Sequence, residues 1–250
     1  MKILAVIPAR YGSQRFPGKP LVKIGDKPMV QRVYEAAKCC PDFGKVVVAT
    51  DDQRIVDCVQ QFGGVVEMTR SDHETGTDRV AEVAERYPEM VAVANVQGDQ
   101  PFVTPQMLTQ LVSPYLKGDS PEMTTLACPL NFESGYSDPH TVKVLCDQHS
   151  HALYFSRSQI PYLRNHGKSL PVYHHLGLYA FDRRFLAQYA QLSATPFEQC
   201  EALEQLRVLE HGFQIRVCLT QKAVLEINTP EDLAKANRLI QDKAKESTHQ

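Results

Sequence analysis

Residues 3 to 20 form the stretch ILAVIPARYGSQRFPGKP, from which the interpretation of the whole chain follows. The apolar run Ile3 to Ile7 stops at Pro8, a pattern that predicts a strand buried on both faces. The turn that comes next contains Gly12 and Gly18, which let a backbone approach a ligand closely. The same turn carries three cationic residues, Arg10, Arg15 and Lys19.

Cationic side chains beside exposed amide groups, at the carboxyl end of a first strand, are typical of a polyphosphate site. The turn is not a Walker A loop, because five residues separate its glycines and Pro20, which has no hydroxyl for magnesium, follows Lys19. It contains no G-x-G-x-x-G dinucleotide fingerprint either. From the residues alone, a phosphate loop and a solvated basic loop both remain open.

The composition is that of an ordinary globular protein. Its 250 residues, 43% hydrophobic and 22% charged, predict one large domain or a domain with a subdomain. A net charge of -2 argues against nucleic acid as a partner. Seven cysteines without a C-x-x-C pair, and no signal peptide ahead of the first strand, lead us to expect a reducing cytoplasm. No apolar run approaches the length of a membrane span, so we expect no membrane partner.

Strands and helices alternate in the first half of the chain. The predicted strands after the first are Lys45 to Thr50, Val65 to Met68 and Met90 to Val96. Helical spacing of apolar residues predicts helices over Pro28 to Lys38 and Ile55 to Phe62. This alternation predicts an α/β fold with a parallel, doubly wound sheet.

The second half changes to short strands joined by short loops, predicted at Met123 to Pro129, Val142 to Asp147 and Ala152 to Ser156. Such loops are too brief for crossover helices, so we expect antiparallel pairing there. Leucines at positions 203, 206 and 209 predict one apolar face of a helix over Ala202 to His211. A strand over Phe213 to Thr220 and a charged terminal helix, beginning at Thr229-Pro230, complete the chain.

The stretch IPARYGSQRFPGKP closely resembles the nucleotide-binding signature of the sugar nucleotidyltransferases. Within them it is most similar to the cytidylyltransferases that activate 3-deoxy-manno-octulosonate (Kdo), the CMP-Kdo synthetases. The resemblance implies a single cytidylyltransferase domain over residues 1–250 with a Rossmann-like, mostly parallel sheet. It also implies an antiparallel subdomain over approximately residues 130–200 for sugar binding and dimerisation. The nucleotide contacts that it implies in this loop are Pro8, Ala9, Arg10, Gly12, Ser13, Arg15 and Lys19.

A polar loop from Ser71 to Asp78 precedes the next helix, which Thr77 is predicted to cap. A loop that ends at a helix amino terminus offers amides and hydroxyls to a base or a phosphate, although capping alone also explains it. The segment TGTDR is similar to the family's SGTER-like segment. The similarity implies contributions to a cytidine pocket from Thr75, Gly76, Thr77 and Arg79.

The fourth strand runs directly into Gln97-Gly98-Asp99-Gln100-Pro101. A carboxylate at the carboxyl end of a buried strand lies where open parallel sheets bind ligands. Because Mg²⁺ prefers one or two carboxylates together with phosphate oxygens, Asp99 is a candidate magnesium ligand, with a turn-forming Asp as the alternative. The segment resembles the family's NVQGDEP, which implies that Asp99 holds magnesium and Gln97 contacts the sugar. Gln100 departs from the acidic residue usual at that position.

Two segments of the second half, ALYFSR ending at Arg157 and HLGLY beginning at His175, also match family segments. The match implies that Arg157 pairs with the sugar carboxylate, for which a guanidinium fork is well shaped. The resemblance also implies that His175 and Tyr179 lie near the sugar or the nucleotide, and that Glu204 and Gln205 contact sugar hydroxyls. His174 and His175 are adjacent and face opposite sides of a strand, so we do not interpret them as a zinc site.

The segment from Asn228 onwards, NTPEDL, departs from the family's DTPEDL, whose first Asp is a second magnesium ligand. An amide oxygen can still coordinate a metal but carries no charge, so magnesium affinity should fall or depend more on CTP. The hypothesis is that Mg²⁺ remains, held by Asp99, Asn228, the triphosphate and water.

Together the cationic turn, Asp99 and Arg157 predict nucleotidyl transfer. The resemblance implies that CMP passes from CTP to the anomeric hydroxyl of Kdo, giving pyrophosphate and CMP-Kdo for lipopolysaccharide synthesis. Such chemistry depends on positioning and charge neutralisation, and the predicted catalytic residues are Arg10, Arg15, Lys19 and Asp99. The resemblance implies a homodimer. The alternatives are transfer to 8-amino-Kdo or another keto-deoxy acid, a glycosyltransferase, for which a D-x-D motif at Asp99 is missing, and a catalytically silent nucleotide sensor, which Asn228 favours.

Overall fold

The computed structural model describes residues 2–12, 16–165 and 171–248. The chain divides into two compact units. The parallel unit consists of Lys2–Val91, Asn95–Leu108 and the chain from Val224 onwards. The antiparallel unit consists of Ala92–Ala94 and Thr109–Ala223.

The first strand of the parallel unit is its most buried element. Strand β1 (Ile3–Pro8) has no exposed surface on the side chains of Ile3 to Ile7, as its unbroken apolar sequence predicts. Complete burial of each such aliphatic side chain contributes about 1.5–3 kcal/mol to folding. Strand β1 therefore anchors the turn that follows it.

Two further strands of the parallel unit extend the sheet from β1, the first beside β1 and the second beside the first. Between β1 and the first of these strands, the chain forms a short 3₁₀ helix (Lys19–Leu21), a hairpin of β2 (Lys23–Ile24) and β3 (Lys27–Pro28), and one α-helix. A second α-helix connects the two strands. The elements in order are α1 (Met29–Lys38), β4 (Phe43–Thr50), α2 (Gln53–Gln61), β5 (Val66–Met68) and α3 (Gly76–Glu85). Strand β1 pairs with β4 in parallel, from Ile3 opposite Phe43 to Pro8 opposite Ala49, and β4 pairs with β5 in parallel. The parallel sheet and the crossover helices agree with the prediction.

The last helix of the chain, α9 (Pro230–Thr248), also belongs to the parallel unit. A small core of Ile24, Met29, Ile227 and Ala236 holds it in place, with Phe102 and Leu225 among the partly buried residues around this core. Because Ile227 is fully buried there, the residues on either side of it have a defined position.

The antiparallel unit contains most of the remaining elements. In chain order these are β6 (Ala92–Asn95), α4 (Pro105–Leu116), β7 (Met123–Pro129), α5 (Phe132–Gly135), β8 (Lys143–Cys146), β9 (Ala152–Ser156), β10 (Val172–Asp182), α6 (Arg183–Tyr189), α7 (Pro196–Glu201), α8 (Leu206–Glu210) and β11 (Ile215–Leu219). The boundary between the units falls within strand β6, whose Asn95 is assigned to the parallel unit, and within helix α4, whose residues up to Leu108 are assigned to it.

Antiparallel pairing dominates this second unit. Its strand order is β11-β7-β10-β6, with β8 between β10 and β9. Strand β10 is antiparallel to β7 and β8, strand β8 is antiparallel to β9, and only the pair of β11 and β7 is parallel among the registers described. The prediction of antiparallel strands in the second half is confirmed.

Strand β10 contains an irregularity that matters for its side chains. His175 lies opposite Ala127 and Tyr179 lies opposite Thr125, so four steps along β10 face two steps along β7. Gly177 within this bulge has a φ of 63°, a left-handed conformation that glycine adopts at little cost. The bulge brings His175 and Tyr179 close together, with ring centroids 5.6 Å apart.

Two local predictions are wrong. The helix predicted over residues 202–211 is interrupted, because α7 ends at Glu201, the next residue Ala202 has a left-handed φ of 52°, and α8 begins only at Leu206. Leu203 and Leu206 are both buried, but a turn followed by a short helix buries them as well as one continuous helix would. The second error concerns the cap of α3, which is Thr75 and not Thr77.

The other predicted strands and helices have boundaries within two residues of those observed. Among the described residues, no helix combines the length and the apolar character that crossing a membrane requires.

Candidate functional site

The turn after β1 lies against the segment that follows β6. A Cβ atom on Gly98 would be 2.9 Å from the Pro8 carbonyl oxygen, so this close approach requires glycine. Backbone bonding supports the same arrangement, since the Val96 amide donates to the Val6 carbonyl. Pro8, where the β1 turn begins, is therefore a neighbour of residues 97–101, a segment that the sequence singled out separately.

Lys19 and Asp99 form the direct link between these segments. Lys19 is the first residue of the 3₁₀ helix, after Gly18, whose φ of 71° is left-handed. Its Nζ lies 2.8 Å from Asp99 Oδ2, and the two side chains are 15% and 26% exposed. A predicted phosphate-binding cation and a predicted metal-binding carboxylate thus share one half-buried position.

The segment before α9 joins the same place. The Ile227 amide donates to the Asp99 carbonyl oxygen at 2.9 Å. Gln100 Nε2 donates to Glu226 Oε1 at 2.9 Å, and Asn228 Nδ2 lies 3.5 Å from Glu226 Oε2. We call Lys19, Asp99, Gln100, Glu226 and Asn228 the carboxylate cluster.

Glu226 is the carboxylate of this cluster whose protonation the surroundings alter most clearly. Burial, together with the nearby negative charge of Asp99, raises the pKa of the Glu226 carboxyl to about 7. Hydrogen bonds from Gln100 and Asn228 and the charge of Lys19 act in the opposite direction. Two carboxylates near one ammonium group leave a local excess of negative charge.

Arg10 connects the β1 turn to the loop before α3. Its guanidinium donates to the carbonyl oxygens of His73 at 2.5 Å, Thr75 at 2.8 Å and Glu74 at 3.1 Å. Burial, and then the charge of Arg79, lower the pKa of Arg10. Carbonyl oxygens orient this guanidinium without neutralising its charge, which suits a group that is to meet an anion.

The loop that Arg10 holds ends in a capping box. Thr75 Oγ1 accepts from the Asp78 amide, and Asp78 Oδ2 accepts from the Thr75 amide. Asp78 at the third helical position selects Thr75 as the cap, whereas Thr77 is buried in the first turn and accepts from Asn95 Nδ2. Gly76 lies next to the Pro8 ring, where a Cβ would be in ordinary contact.

Arg79, a predicted nucleotide ligand, has a fully buried side chain in this structure. Its Nη2 lies 3.0 Å from Asp51 Oδ2, and its Nη1 donates to Thr69 Oγ1. These contacts tie α3 to the ends of β4 and β5. They support a positioning role, and direct contact with a nucleotide stays a prediction.

The structure describes only some of the other predicted nucleotide residues of the β1 turn. Ala9 is buried, and its amide donates to the Ala49 carbonyl. Outside its chain neighbours, no atom of the described residues lies within 4 Å of a Cβ built on Gly12. Ser13 and Arg15 lie outside the described residues. Gln97, a predicted sugar ligand, is partly exposed, and its Nε2 lies 3.3 Å from Asn95 Oδ1.

In the antiparallel unit, three predicted sugar residues form a continuous hydrogen-bonded chain with Thr125. Tyr179 Oη donates to Gln205 Oε1 at 3.0 Å, and Gln205 Nε2 lies 3.4 Å from His175 Nδ1. His175 Nε2 lies 2.9 Å from Thr125 Oγ1, which donates to the Leu178 carbonyl. We call Tyr179, Gln205, His175 and Thr125 the histidine chain.

The direction of the histidine chain determines the tautomer of its imidazole. Because the Thr125 hydroxyl already donates to a carbonyl, its oxygen must accept a proton from His175 Nε2, and Nδ1 then accepts from Gln205. Burial, and then the charge of His174, lower the pKa of His175 to about 3. His175 is therefore a neutral group with a fixed orientation.

Arg157 and Glu204, the two other predicted sugar residues of this unit, both have backbone partners near α7 and α8. The Arg157 guanidinium donates to the carbonyl oxygens of Glu201 at 2.8 Å and Pro139 at 3.1 Å. Glu204 lies in the turn between α7 and α8, where its carbonyl accepts from the Arg207 amide. Like Arg10, Arg157 is oriented by carbonyl oxygens and keeps its positive charge.

The comparisons with known proteins cover nearly the whole chain. A family model described as Cytidylyltransferase matches residues 4–218. The 3-deoxy-manno-octulosonate cytidylyltransferase of Acaryochloris marina (strain MBIC 11017) is 67% identical over 241 residues, which are 96% of this chain and 98% of the relative. The enzyme of the same name from Synechococcus elongatus is 55% identical over 237 residues, 95% of this chain and 97% of the relative.

The chain belongs to the 3-deoxy-manno-octulosonate cytidylyltransferase family. A solved structure of CMP:2-keto-3-deoxy-manno-octonic acid synthetase complexed with CTP is similar to it, with a TM-score of 0.92 and 41% identity. That similarity covers 97% of this chain and 100% of the other. The family, the fold class and the nucleotidyltransferase class predicted from the sequence are confirmed.

The carboxylate cluster has the chemistry of a magnesium site. Mg²⁺ is a hard cation that takes oxygen ligands, and the cluster presents the carboxylates of Asp99 and Glu226 beside the amide of Asn228. The Lys19 ammonium on Asp99 shows that this carboxylate accepts a cation. Within the described ranges, no group of three or more His, Cys, Asp or Glu side chains could hold a metal, so a magnesium ion would need further ligands from substrate and water.

Glu226 and Thr125 are the candidate site residues that sequence reasoning missed. Glu226 has a local signal, because an isolated acidic residue between Leu225 and Ile227 in an apolar run indicates a buried carboxylate. Thr125 has none, since a threonine in a strand is ordinary. Only the register of β7 against β10 places it opposite Tyr179.

Proposed function

We propose that the protein transfers CMP from CTP to the anomeric hydroxyl of Kdo, producing CMP-Kdo and pyrophosphate. The observation that carries this proposal is the convergence of the β1 turn, the Asp99 segment and the Glu226 segment at the Lys19–Asp99 ion pair. The names of relatives that match over nearly their full length support the choice of sugar.

The parallel unit is proposed to bind CTP. Lys19 and Arg10, together with Arg15, would hold the β and γ phosphates and stabilise the charge that builds up on leaving pyrophosphate. Lys19 would exchange its bond to Asp99 for one to phosphate. Arg10 is already oriented by the carbonyl oxygens of residues 73–75. The backbone near Pro8, Gly12 and Gly76 would approach the nucleotide.

Magnesium is the proposed cofactor, and when bound it supplies positive charge that polarises the α phosphate. Asp99 would hold it, and the sequence also predicts Asn228 as a ligand. Asp99 is well suited because its backbone is fixed on both sides, by Gly98 against Pro8 and by the bond from the Ile227 amide.

The transfer itself needs no covalent intermediate with the protein. The sugar's anomeric oxygen forms a bond to the α phosphorus, the bond from that phosphorus to the bridging oxygen of the β phosphate breaks, and the hydroxyl proton leaves to solvent. The protein holds the reactants in line and neutralises charge. No side chain is assigned as a general base, and His175, neutral and hydrogen-bonded at both nitrogens, does not fill that role.

The antiparallel unit is proposed to bind the sugar acid. Arg157 would pair with the sugar carboxylate, because its guanidinium is held by carbonyl oxygens and carries an unneutralised charge. Glu204 is proposed to bind sugar hydroxyls. Tyr179, Gln205 and His175 are buried and bonded to one another, so they would contribute through the polar groups that they orient.

We also propose a homodimer formed by the antiparallel unit. Its exposed apolar side chains include Leu153, Phe197 and Tyr162, which are 62%, 53% and 89% exposed. Exposed aromatic and aliphatic side chains of this size favour an interface. Light scattering on the purified protein would test it, and a monomer at micromolar concentration would contradict it.

The proposed compartment is the cytoplasm, where CMP-Kdo would serve lipopolysaccharide synthesis. All seven cysteines are free thiols in the structure, as is usual for proteins of reducing compartments.

The decisive experiment is an assay of pyrophosphate release with purified protein, CTP and Mg²⁺. Kdo, 8-amino-Kdo and no sugar would be compared in parallel, with UTP replacing CTP as a nucleotide control. We expect release only with CTP and a sugar acid, and fastest with Kdo. Preference for 8-amino-Kdo would correct the substrate, and binding of CTP without release under any condition would support a nucleotide sensor instead.

A further inference from the structure

The side chains around Glu226 are arranged to hold a carboxylate without balancing its charge. Gln100 Nε2 donates to Oε1, and Asn228 Nδ2 lies at the outer limit of a hydrogen bond from Oε2. These two amides come from segments far apart in the sequence and converge on one carboxyl group. Amides orient a carboxylate but leave it negative.

The nearby cation is engaged elsewhere. Lys19 donates to Asp99 Oδ2 at 2.8 Å, so with both carboxyl groups ionised Asp99 and Glu226 would set two negative charges against one positive charge. When Lys19 turns to phosphate, as proposed above, the two carboxylates match the charge of a divalent cation. The bond from the Ile227 amide to the Asp99 carbonyl keeps their two segments side by side.

The two amides of this arrangement are the two departures from the acidic pattern noted in the sequence, Gln100 and Asn228. Both now contact the same carboxylate. An acidic side chain at position 100 or 228 would repel Glu226, whereas an amide supports it. Gln100, Glu226 and Asn228 therefore fit together, because two neutral amides contact one carboxylate and no second acidic side chain repels it.

We infer that Glu226 supplies the second carboxylate of the magnesium site, with Gln100 and Asn228 as the residues that position it. The inference rests on the proposed function for the presence of magnesium and goes beyond it in naming the ligand. Asn228 is then a positioning residue with a neutral amide, and the charge expected at position 228 resides at position 226.

The test is binding of Mn²⁺ to the full-length protein saturated with CTP, without sugar. Loss of the electron paramagnetic resonance signal of free Mn²⁺ measures binding, and a titration of CTP alone is subtracted. We expect Glu226→Gln to weaken Mn²⁺ binding about 10-fold to 100-fold, as loss of a charged ligand or its support does. Glu226→Asp, which keeps the charge but shortens the side chain, should give a smaller loss.

A second variant separates ligation from a merely structural role. Adding Asn228→Asp to Glu226→Gln moves the carboxylate back to position 228, and we expect Mn²⁺ affinity to return to within about threefold of wild type. Unchanged affinity in Glu226→Gln, or no recovery in the double variant, would overturn the inference. If Glu226→Gln does not fold, the comparison of Glu226→Asp with Glu226→Asp/Asn228→Asp decides in the same way.

Failure of this inference is distinguishable from failure of the proposed function. A wild type that releases pyrophosphate from CTP and Kdo, with Mn²⁺ bound as tightly by Glu226→Gln, overturns only the role of Glu226. A wild type that releases none overturns the proposed function, and the metal titration still decides whether Glu226 is a ligand.

Discussion

The carboxylate cluster of the parallel unit and the histidine chain of the antiparallel unit are both polar groups in buried or half-buried places, but their charges differ. In the carboxylate cluster, Asp99 and Glu226 share one ammonium group, and burial with the charge of Asp99 raises the pKa of Glu226 to about 7. In the histidine chain every donor faces an acceptor, and burial lowers the pKa of His175 to about 3, so the chain is neutral.

The difference indicates two kinds of function. Unbalanced charge in a half-buried place costs free energy that a charged ligand can recover, so the carboxylate cluster is suited to phosphate and metal. A neutral chain with all its hydrogen bonds made costs little and holds its members in one geometry. The parallel unit is thus prepared for a charged ligand, and the histidine chain for positioning.

The largest expected effect comes from removing the cation of the carboxylate cluster. Lys19→Ala should lower kcat for pyrophosphate release about 100-fold to 1000-fold, because the variant has no ammonium group to stabilise the negative charge on the leaving pyrophosphate. The KM for Kdo should change less than about threefold. Steady-state kinetics with both substrates varied would measure this.

Lys23→Ala, at an exposed lysine of the neighbouring hairpin, serves as the matched control and should retain wild-type kcat. A Lys19→Ala enzyme with normal turnover would show that the charges of the carboxylate cluster do not serve catalysis, and the contrast with the histidine chain would then fail.

An intermediate effect, on stability, is expected from interrupting the histidine chain. Gln205→Leu leaves the Tyr179 hydroxyl and His175 Nδ1 without their partner in a buried place, which should lower the free energy of unfolding by about 1–3 kcal/mol. Urea denaturation followed by circular dichroism would measure the change. Gln191→Leu, the same substitution at an exposed position of the same unit, should stay within about 0.5 kcal/mol of wild type. Equal stability of the two variants would show that the chain is not a structural element.

The smallest effect is the pH dependence that His175 contributes. Its pKa is lowered in the folded state, so the unfolded state binds the proton more readily and stability falls as pH decreases below about 6.5 towards 3. Between pH 6.5 and 5 this group should account for roughly 1.5 kcal/mol. Glu226, whose pKa is raised, acts with the opposite sign over the same range, losing stability as pH rises from about 4.5 to 7.

Unfolding measured at both pH values in wild type and His175→Gln isolates the histidine contribution, since the contribution of Glu226 cancels in the difference. An identical pH dependence in the two proteins would mean that His175 is protonated as easily when folded as when unfolded.

Much of the fold followed from local patterns. The buried run of β1, the helical spacing of α1 and the start of α9 at Pro230 were predicted because periodicity and capping are encoded in adjacent residues. Ala202 shows the limit of this approach. The leucine spacing there satisfies both a continuous helix and a turn followed by a short helix, and only the packing of α7 and α8 separates them.

The candidate site also contains residues that the sequence identified and residues whose role only the structure could show. Lys19 and Asp99 were identifiable as phosphate and metal candidates because each lies in a loop that follows a predicted buried strand. Arg79 was implied as a nucleotide contact by the resemblance of its segment to the family, yet its side chain is buried against Asp51 and Thr69. Sequence spacing on a helix does not reveal which face is covered until the neighbouring strands are in place.

By itself the sequence determined the family, the alternation of elements and the types of charged group available, since these depend on residue identity and short-range spacing. Only the tertiary structure decided which of those groups meet. Lys19 and Asp99 are 80 positions apart, and Gln100 and Glu226 are 126 positions apart. Contacts across such separations arise from the packing of whole strands and helices, which no local pattern specifies.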